Sequence, residues 1–141
     1  MEIYVYSRRG LEAATPHEVP HIIISITSAP TDKATLPTNK ETLAVLRLAF
    51  PDYDTPSEAF PESELFSRTQ AMQIWETVLR HRRNAQRVIV HCEAGISRSS
   101  AVAAALSRVF VGNEKEFFTG KYSPNMRVYR MLIEAAPTVS T

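Results

Sequence analysis

Hydrophobic and polar positions change period several times along the chain, and each change marks an element. Glu2–Tyr6 is rich in Ile, Val and Tyr and reads as a short strand. Ser7-Arg8-Arg9-Gly10 follows, then a short helix through Ala14 that Pro16 stops. His21–Thr27 is an almost unbroken β-branched run, the pattern of a strand buried on both faces. Ser28–Glu41 holds two prolines and two lysines and reads as a loop. Thr42–Phe50 reads as a third strand, and Pro51–Pro61 as a loop rich in proline and acid. The period then lengthens. Ala71, Ile74, Trp75, Val78 and Leu79 recur at helical spacing between Arg68 and about Asn84, with Ser67 in the N-cap position. Arg87–His91 is another buried strand, Cys92–Arg98 a loop containing Gly95, and Ser99–Val111 an Ala-rich helix that Gly112 ends. Glu114–Thr119 reads as a short helical piece and Asn125–Ala136 as a last helix.

Strands alternating with helices predict an α/β fold in three layers. A mostly parallel sheet of four to five strands lies between helices on both faces. The 141 residues make one domain, 1–141. In such a sheet, ligands bind beyond the carboxyl ends of the strands. Ser7–Gly10, Ser28–Glu41, Pro51–Pro61 and Cys92–Arg98 are therefore expected to share one rim.

Composition narrows the chemistry. Hydrophobic residues make up 44%, enough for a core, and the net charge of +1 gives no field to recruit nucleic acid or membrane. Ile22–Ile26 and Ala101–Leu106 are far too short to span a bilayer, and the N-terminus lacks the pattern of a signal peptide. A single cysteine excludes an intrachain disulfide and a Cys-rich zinc site, and fits a reducing compartment such as the cytoplasm. A free cysteine is most often a small buried hydrophobe, so its neighbours must decide its role.

Those neighbours are Val90-His91-Cys92-Glu93-Ala94-Gly95-Ile96-Ser97-Arg98-Ser99-Ser100, which join a buried strand to a helix N-terminus. The first turn of a helix offers unpaired N–H groups and a partial positive charge, which suit an anion. Gly95 permits the turn that wraps successive N–H groups around it. Arg98 adds a planar clamp for two phosphate oxygens. The same surroundings favour the thiolate of Cys92 over the thiol.

This His-Cys-x5-Arg-Ser segment resembles the phosphate-binding signature of the cysteine-dependent protein tyrosine phosphatase superfamily. Its version here is closest to the dual-specificity branch and to small bacterial tyrosine phosphatases. The resemblance implies Cys92 as nucleophile and Arg98 as phosphate clamp. The loop Glu93, Ala94, Gly95, Ile96, Ser97 and Arg98 would bind phosphate. Ser99 would stabilise the departing thiolate, and His91 would support it. Phe50-Pro51-Asp52-Tyr53-Asp54-Thr55-Pro56 resembles the family's acid loop, with Phe50 in place of tryptophan, and Asp52 is taken as the general acid with Asp54 as its rival. Pro124-Asn125 resembles the dipeptide that opens the last helix in dual-specificity enzymes. Asn125 is read as its N-cap first and as support for the phosphate loop second.

The implied reaction passes through a phosphocysteine on Cys92 and needs no cofactor and no metal, since Arg98 and the loop amides supply positive charge. The expected partner is a phosphorylated protein or peptide, with neither nucleic acid nor membrane involved and a monomer favoured. Alternatives are a phosphoinositide or RNA-end phosphatase, a silent phosphate-binding module, and a sulfurtransferase. The basic run Arg80-His81-Arg82-Arg83 with Arg87 reads as a solvated helix end. Arg8 and Arg9 follow the first strand onto the rim, where contact with substrate and simple solvation are equal readings. Trp75 and the pair Phe117-Phe118 are expected in the core. His17, His21 and His81 have no metal-ligand spacing.

Overall fold

The computed structural model describes residues 1–138, so the last three residues of the expected 1–141 domain lie outside the described residues. Four strands form the sheet: β1 (Glu2–Ser7), β2 (His21–Thr27), β3 (Thr42–Ala49) and β4 (Arg87–Cys92). All neighbours pair in parallel, in the order β1-β4-β2-β3. The helices are α1 (Arg8–Ala13), α2 (Arg68–His81), α3 (Arg98–Phe110) and α4 (Met126–Glu134). Two 3-10 turns, Glu62–Glu64 and Lys115–Phe118, complete the regular structure.

The two faces of the sheet are covered unequally. Ile22, Ile24 and Ile26 of β2 and Val88 and Val90 of β4 point into the main core, which Ile74, Trp75 and Val78 of α2, Val102 and Leu106 of α3, and Val128 and Leu132 of α4 complete. The opposite face packs Ile23 and Ile89 against Leu11 of the short α1 and Leu36 of the loop after β2. A loop thus covers part of the face where a helix would otherwise lie. Both faces of β2 are buried along its whole length, which explains why its sequence does not alternate.

Element ends depart from the sequence reading by a few residues. Helix α2 stops at His81 rather than Asn84 because the chain turns there, with the Asn84 and Ala85 N–H groups both donating to the His81 carbonyl. Helix α3 ends where expected: Gly112, at φ 82°, brings its N–H back to the Ser107 carbonyl at 2.8 Å. Trp75 and Phe117 are buried as expected. Phe118 is a correction: it is 44% exposed, because successive side chains of the 3-10 turn Lys115–Phe118 point about 120° apart, and its ring lies nearly perpendicular to that of Tyr129. Leu79 likewise lies at the margin of the α2 apolar face, 38% exposed. No helix among the described residues is long and apolar enough to cross a membrane.

Candidate active site

Strand β4 delivers Cys92 to the carboxyl edge of the sheet, and α3 starts six residues later at Arg98. The intervening loop is held from outside by its carbonyl groups. The Glu93 carbonyl accepts from the Arg8 N–H (3.1 Å), that of Ile96 from the Ser123 N–H (3.0 Å), and that of Ser97 from the Asn125 N–H (3.0 Å). The Ser100 hydroxyl adds bonds to the Ile96 and Ser97 carbonyls at 2.5 and 3.1 Å. A trans peptide sets its N–H opposite its C=O. Turning these three carbonyls outward therefore turns the N–H groups of Ala94, Ser97 and Arg98 toward the loop interior. Gly95 makes the turn at φ 71°, and a Cβ there would stand 2.7 Å from the Ser7 nitrogen and 2.8 Å from the Tyr6 carbonyl carbon. Only glycine satisfies both the left-handed backbone and this contact with the end of β1.

Cys92 is 2% exposed, and its sulfur lies 3.1 Å from the Ser99 hydroxyl. Behind it, His91 is fully buried. Its Nδ1 lies 3.1 Å from the Cys92 carbonyl, which can only accept, so Nδ1 carries the proton and Nε2 accepts from the Ser25 hydroxyl at 2.6 Å. Burial is the main cause holding this imidazole below the ordinary histidine pKa; its backbone bond to Cys92 acts the other way. The ring is a neutral strut that joins β2 to the start of the loop. Ser25 was not singled out by sequence reasoning, yet a signal existed: it is the one hydroxyl inside the Ile-rich run of β2.

Arg98 gathers the rim. Its Nη1 donates to the Ser28 hydroxyl (3.0 Å) after β2 and to the Phe50 carbonyl (2.9 Å) after β3. The residue is 5% exposed, and among the described residues its Nε is the buried side-chain polar atom with no hydrogen-bond partner. A buried guanidinium N–H left unpaired costs about 1–3 kcal/mol.

Asp52 comes to the Cys92–Arg98 loop as well. Its Oδ1 accepts from the Ser97 hydroxyl at 2.8 Å and from the Asn125 amide at 2.9 Å. Asn125 does two jobs at once: its Oδ1 caps α4 by accepting from the Val128 N–H (3.2 Å), while its backbone N–H holds Ser97. Asp54 lines the same cleft, about 220 Å³, with Tyr53, Ser97 and Ser123, but shares none of the bonds of Asp52. Arg8 is committed elsewhere. It donates to Asp32 (2.9 Å) and the Lys33 carbonyl (3.2 Å), with Glu12 at 3.5 Å and Glu93 at 3.6 Å. The hydrogen bond from Arg8 is the main cause that lowers the Asp32 pKa. Arg9 is exposed. The four expected rim segments do meet: Ser7 and Arg8, where β1 passes into α1, touch the Cys92–Arg98 loop at Gly95 and Glu93, and Ser28, Asp32, Phe50 and Asp52 complete the circle. At the far end of β4, Arg87 pairs with Glu2 at 3.1 Å and lies over the Tyr4 ring, while Arg82 stacks on Phe110.

No family model matches the chain, and no curated protein matches it in sequence. Solved structures do. Human DUSP28 is 16% identical with a TM-score of 0.61, the match covering 94% of this chain and 90% of that one. OH1 from the Orf virus, described as a tyrosine phosphatase with triple substrate specificity, is 17% identical with a TM-score of 0.58 over 94% and 81%. The human tyrosine phosphatase-like serine/threonine/tyrosine-interacting protein is 20% identical with a TM-score of 0.54 over 82% and 75%. The chain thus has the fold of the dual-specificity-like cysteine phosphatases. That fold carries phosphatases and a phosphatase-like protein alike, so the side chains must argue the chemistry.

Proposed function

We propose that this chain, built on the dual-specificity phosphatase fold, hydrolyses phosphate monoesters through a phosphocysteine on Cys92. The observation that carries this reading is the buried, unpartnered Nε of Arg98, on the residue that closes the loop beginning at Cys92. A fork-shaped cation with a buried donor left over beside inward-facing amides matches a tetrahedral dianion, whose oxygens accept several bonds at once.

The positions of the groups support a reaction in two steps. The Cys92 thiolate attacks phosphorus held by the Ala94, Ser97 and Arg98 amides and the Arg98 guanidinium. As the P–O bond breaks, Asp52 gives its proton to the leaving oxygen. Water then attacks phosphorus, Asp52 takes a proton from it, and the P–S bond breaks. The Ser99 hydroxyl, 3.1 Å from the sulfur, stabilises the thiolate that leaves. The substrate proposed is a phosphorylated protein. The loop residues Glu93, Ala94, Ile96 and Ser97 provide no lysine for the extra phosphates of an inositol headgroup.

Hydrolysis of 4-nitrophenyl phosphate in EDTA tests the reading. Turnover by the wild type, lost in Cys92→Ser, is expected; a wild type without turnover in any buffer refutes it. A panel of phosphotyrosine, phosphoserine and phosphothreonine peptides then ranks the side chains accepted.

A further inference from the structure

We infer that Ser97 and Asn125 are positioning residues that decide which oxygen of Asp52 carries the catalytic proton. This rests on the phosphatase reading above and adds to it a division of labour within one carboxyl group. Two donors converge on Oδ1: the Ser97 hydroxyl at 2.8 Å and the Asn125 amide at 2.9 Å. The orientation of the Asn125 amide is settled by its other end, because its Oδ1 accepts from the Val128 N–H. Its Nδ2 must therefore be the group facing Asp52, and it also reaches the Tyr53 carbonyl at 3.3 Å. An oxygen that already accepts two hydrogen bonds is a poor seat for a proton, since a hydroxyl there would set its hydrogen against two others. The proton belongs on Oδ2.

The chemistry then balances at one atom. In the first step the Oδ2–H bond breaks, the proton goes to the leaving oxygen, and Asp52 becomes a carboxylate. In the second step Oδ2 takes a proton from the attacking water, its oxygen bonds to phosphorus, and the electron pair of the P–S bond returns to sulfur. Oδ1 keeps both its donors throughout. Ser97 also belongs to the phosphate loop, and its carbonyl accepts from the Asn125 N–H. The acid is thereby registered to the loop that holds phosphorus, where an error of about 1 Å can cost roughly 100-fold in rate. Asp54 has no such link, which distinguishes two acids that the sequence leaves as rivals.

The test exploits the leaving group. An ester of a strongly acidic phenol departs with little help from an acid, whereas phenyl phosphate, which mimics tyrosine, needs the proton. The variants are Ser97→Ala, which removes one donor, and Asn125→Asp, which keeps the acceptor that caps α4 and removes the other. Asp52→Asn is the reference. In each variant the ratio of kcat for 4-nitrophenyl phosphate to kcat for phenyl phosphate is expected to rise at least about 10-fold over wild type, a part of the roughly 100- to 10,000-fold that a general acid supplies in full. A merely structural role would lower both rates together and leave the ratio unmoved. Wild-type turnover with an unchanged ratio in Ser97→Ala and Asn125→Asp overturns the inference and leaves the phosphatase reading standing. Absence of wild-type turnover overturns both. If Asn125→Asp fails to fold, Ser97→Ala alone decides.

Discussion

At the scale of single residues, the site depends on a few atoms that admit no substitute. Gly95 is the sharpest case. Its φ of 71° is costly for any residue with a Cβ, and the Cβ itself would meet backbone of Ser7 and Tyr6 within 2.9 Å. Backbone cannot move aside as the tip of a side chain can. Gly95→Ala is expected to destabilise the protein by at least about 1–2 kcal/mol from the left-handed conformation alone, and to lose hydrolysis because the loop must reshape. Urea titration with a parallel rate assay measures both. A variant with unchanged midpoint and rate would show that the loop is not held against β1. Arg98 illustrates the opposite case: Nη1 is taken up by Ser28 and Phe50, while the buried Nε has no partner among the described residues.

At the scale of elements, each helix end contributes to placing a loop. The N-terminus of α2 carries a reciprocal capping box: the Ser67 hydroxyl accepts from the Gln70 N–H, and the Gln70 side chain accepts from the Ser67 N–H, both at 3.1 Å. Gln70 reaches further, donating to the Ala49 carbonyl at 3.0 Å, where β3 gives way to the loop of Asp52. The Phe50 and Phe66 rings pack there at 4.9 Å between centroids. Ser67→Ala is expected to cost about 1 kcal/mol. Chemical denaturation should show a lower midpoint at constant slope, since the folded surface is unchanged. An unchanged midpoint would mean that tertiary packing alone holds this helix start. The start of α4 is more heavily used, because Asn125 serves the helix, the Cys92–Arg98 loop and the loop of Asp52 together.

At the scale of the whole molecule, buried His91 and half-buried His17 set the response to acid. Burial is the first cause holding His91 and His17 below the ordinary value of 6.5, and in His17 the charge of Arg87 adds to it. The unfolded chain therefore binds more protons than the folded one as pH drops below about 6.5, so stability is complete above that pH and declines as pH falls through it. Unfolding free energies at pH 7.5 and 5.5 should show the lower value at 5.5. A flat or rising trend would contradict a neutral His91 strut. The carboxylates Asp32 and Glu62 are also lowered, chiefly by hydrogen bonds from Arg8 and Arg127, but from ordinary values of 3.8 and 4.5, so their loss begins at more acid pH.

Much of the molecule follows from the chain read by itself. The long β-branched run of β2, the helical spacing of α2, the glycine that ends α3 and the strand-loop-helix around Cys92 are local patterns, imposed by side-chain period and backbone sterics within a few residues. They are enough to order the elements, to expect a parallel sheet and to place four loops on one rim. The pairings across that rim are different in kind. Ser25 meets His91 across 66 residues, Ser28 meets Arg98 across 70, and Asn125 meets Asp52 across 73. No local period encodes such contacts. They exist because parallel strands bring the ends of distant segments to one edge, where buried polar groups must find partners in whatever loop arrives. The difference between Asp52 and Asp54 belongs to this second class. Two residues apart in sequence, they differ in the structure because only one meets the donors of Ser97 and Asn125.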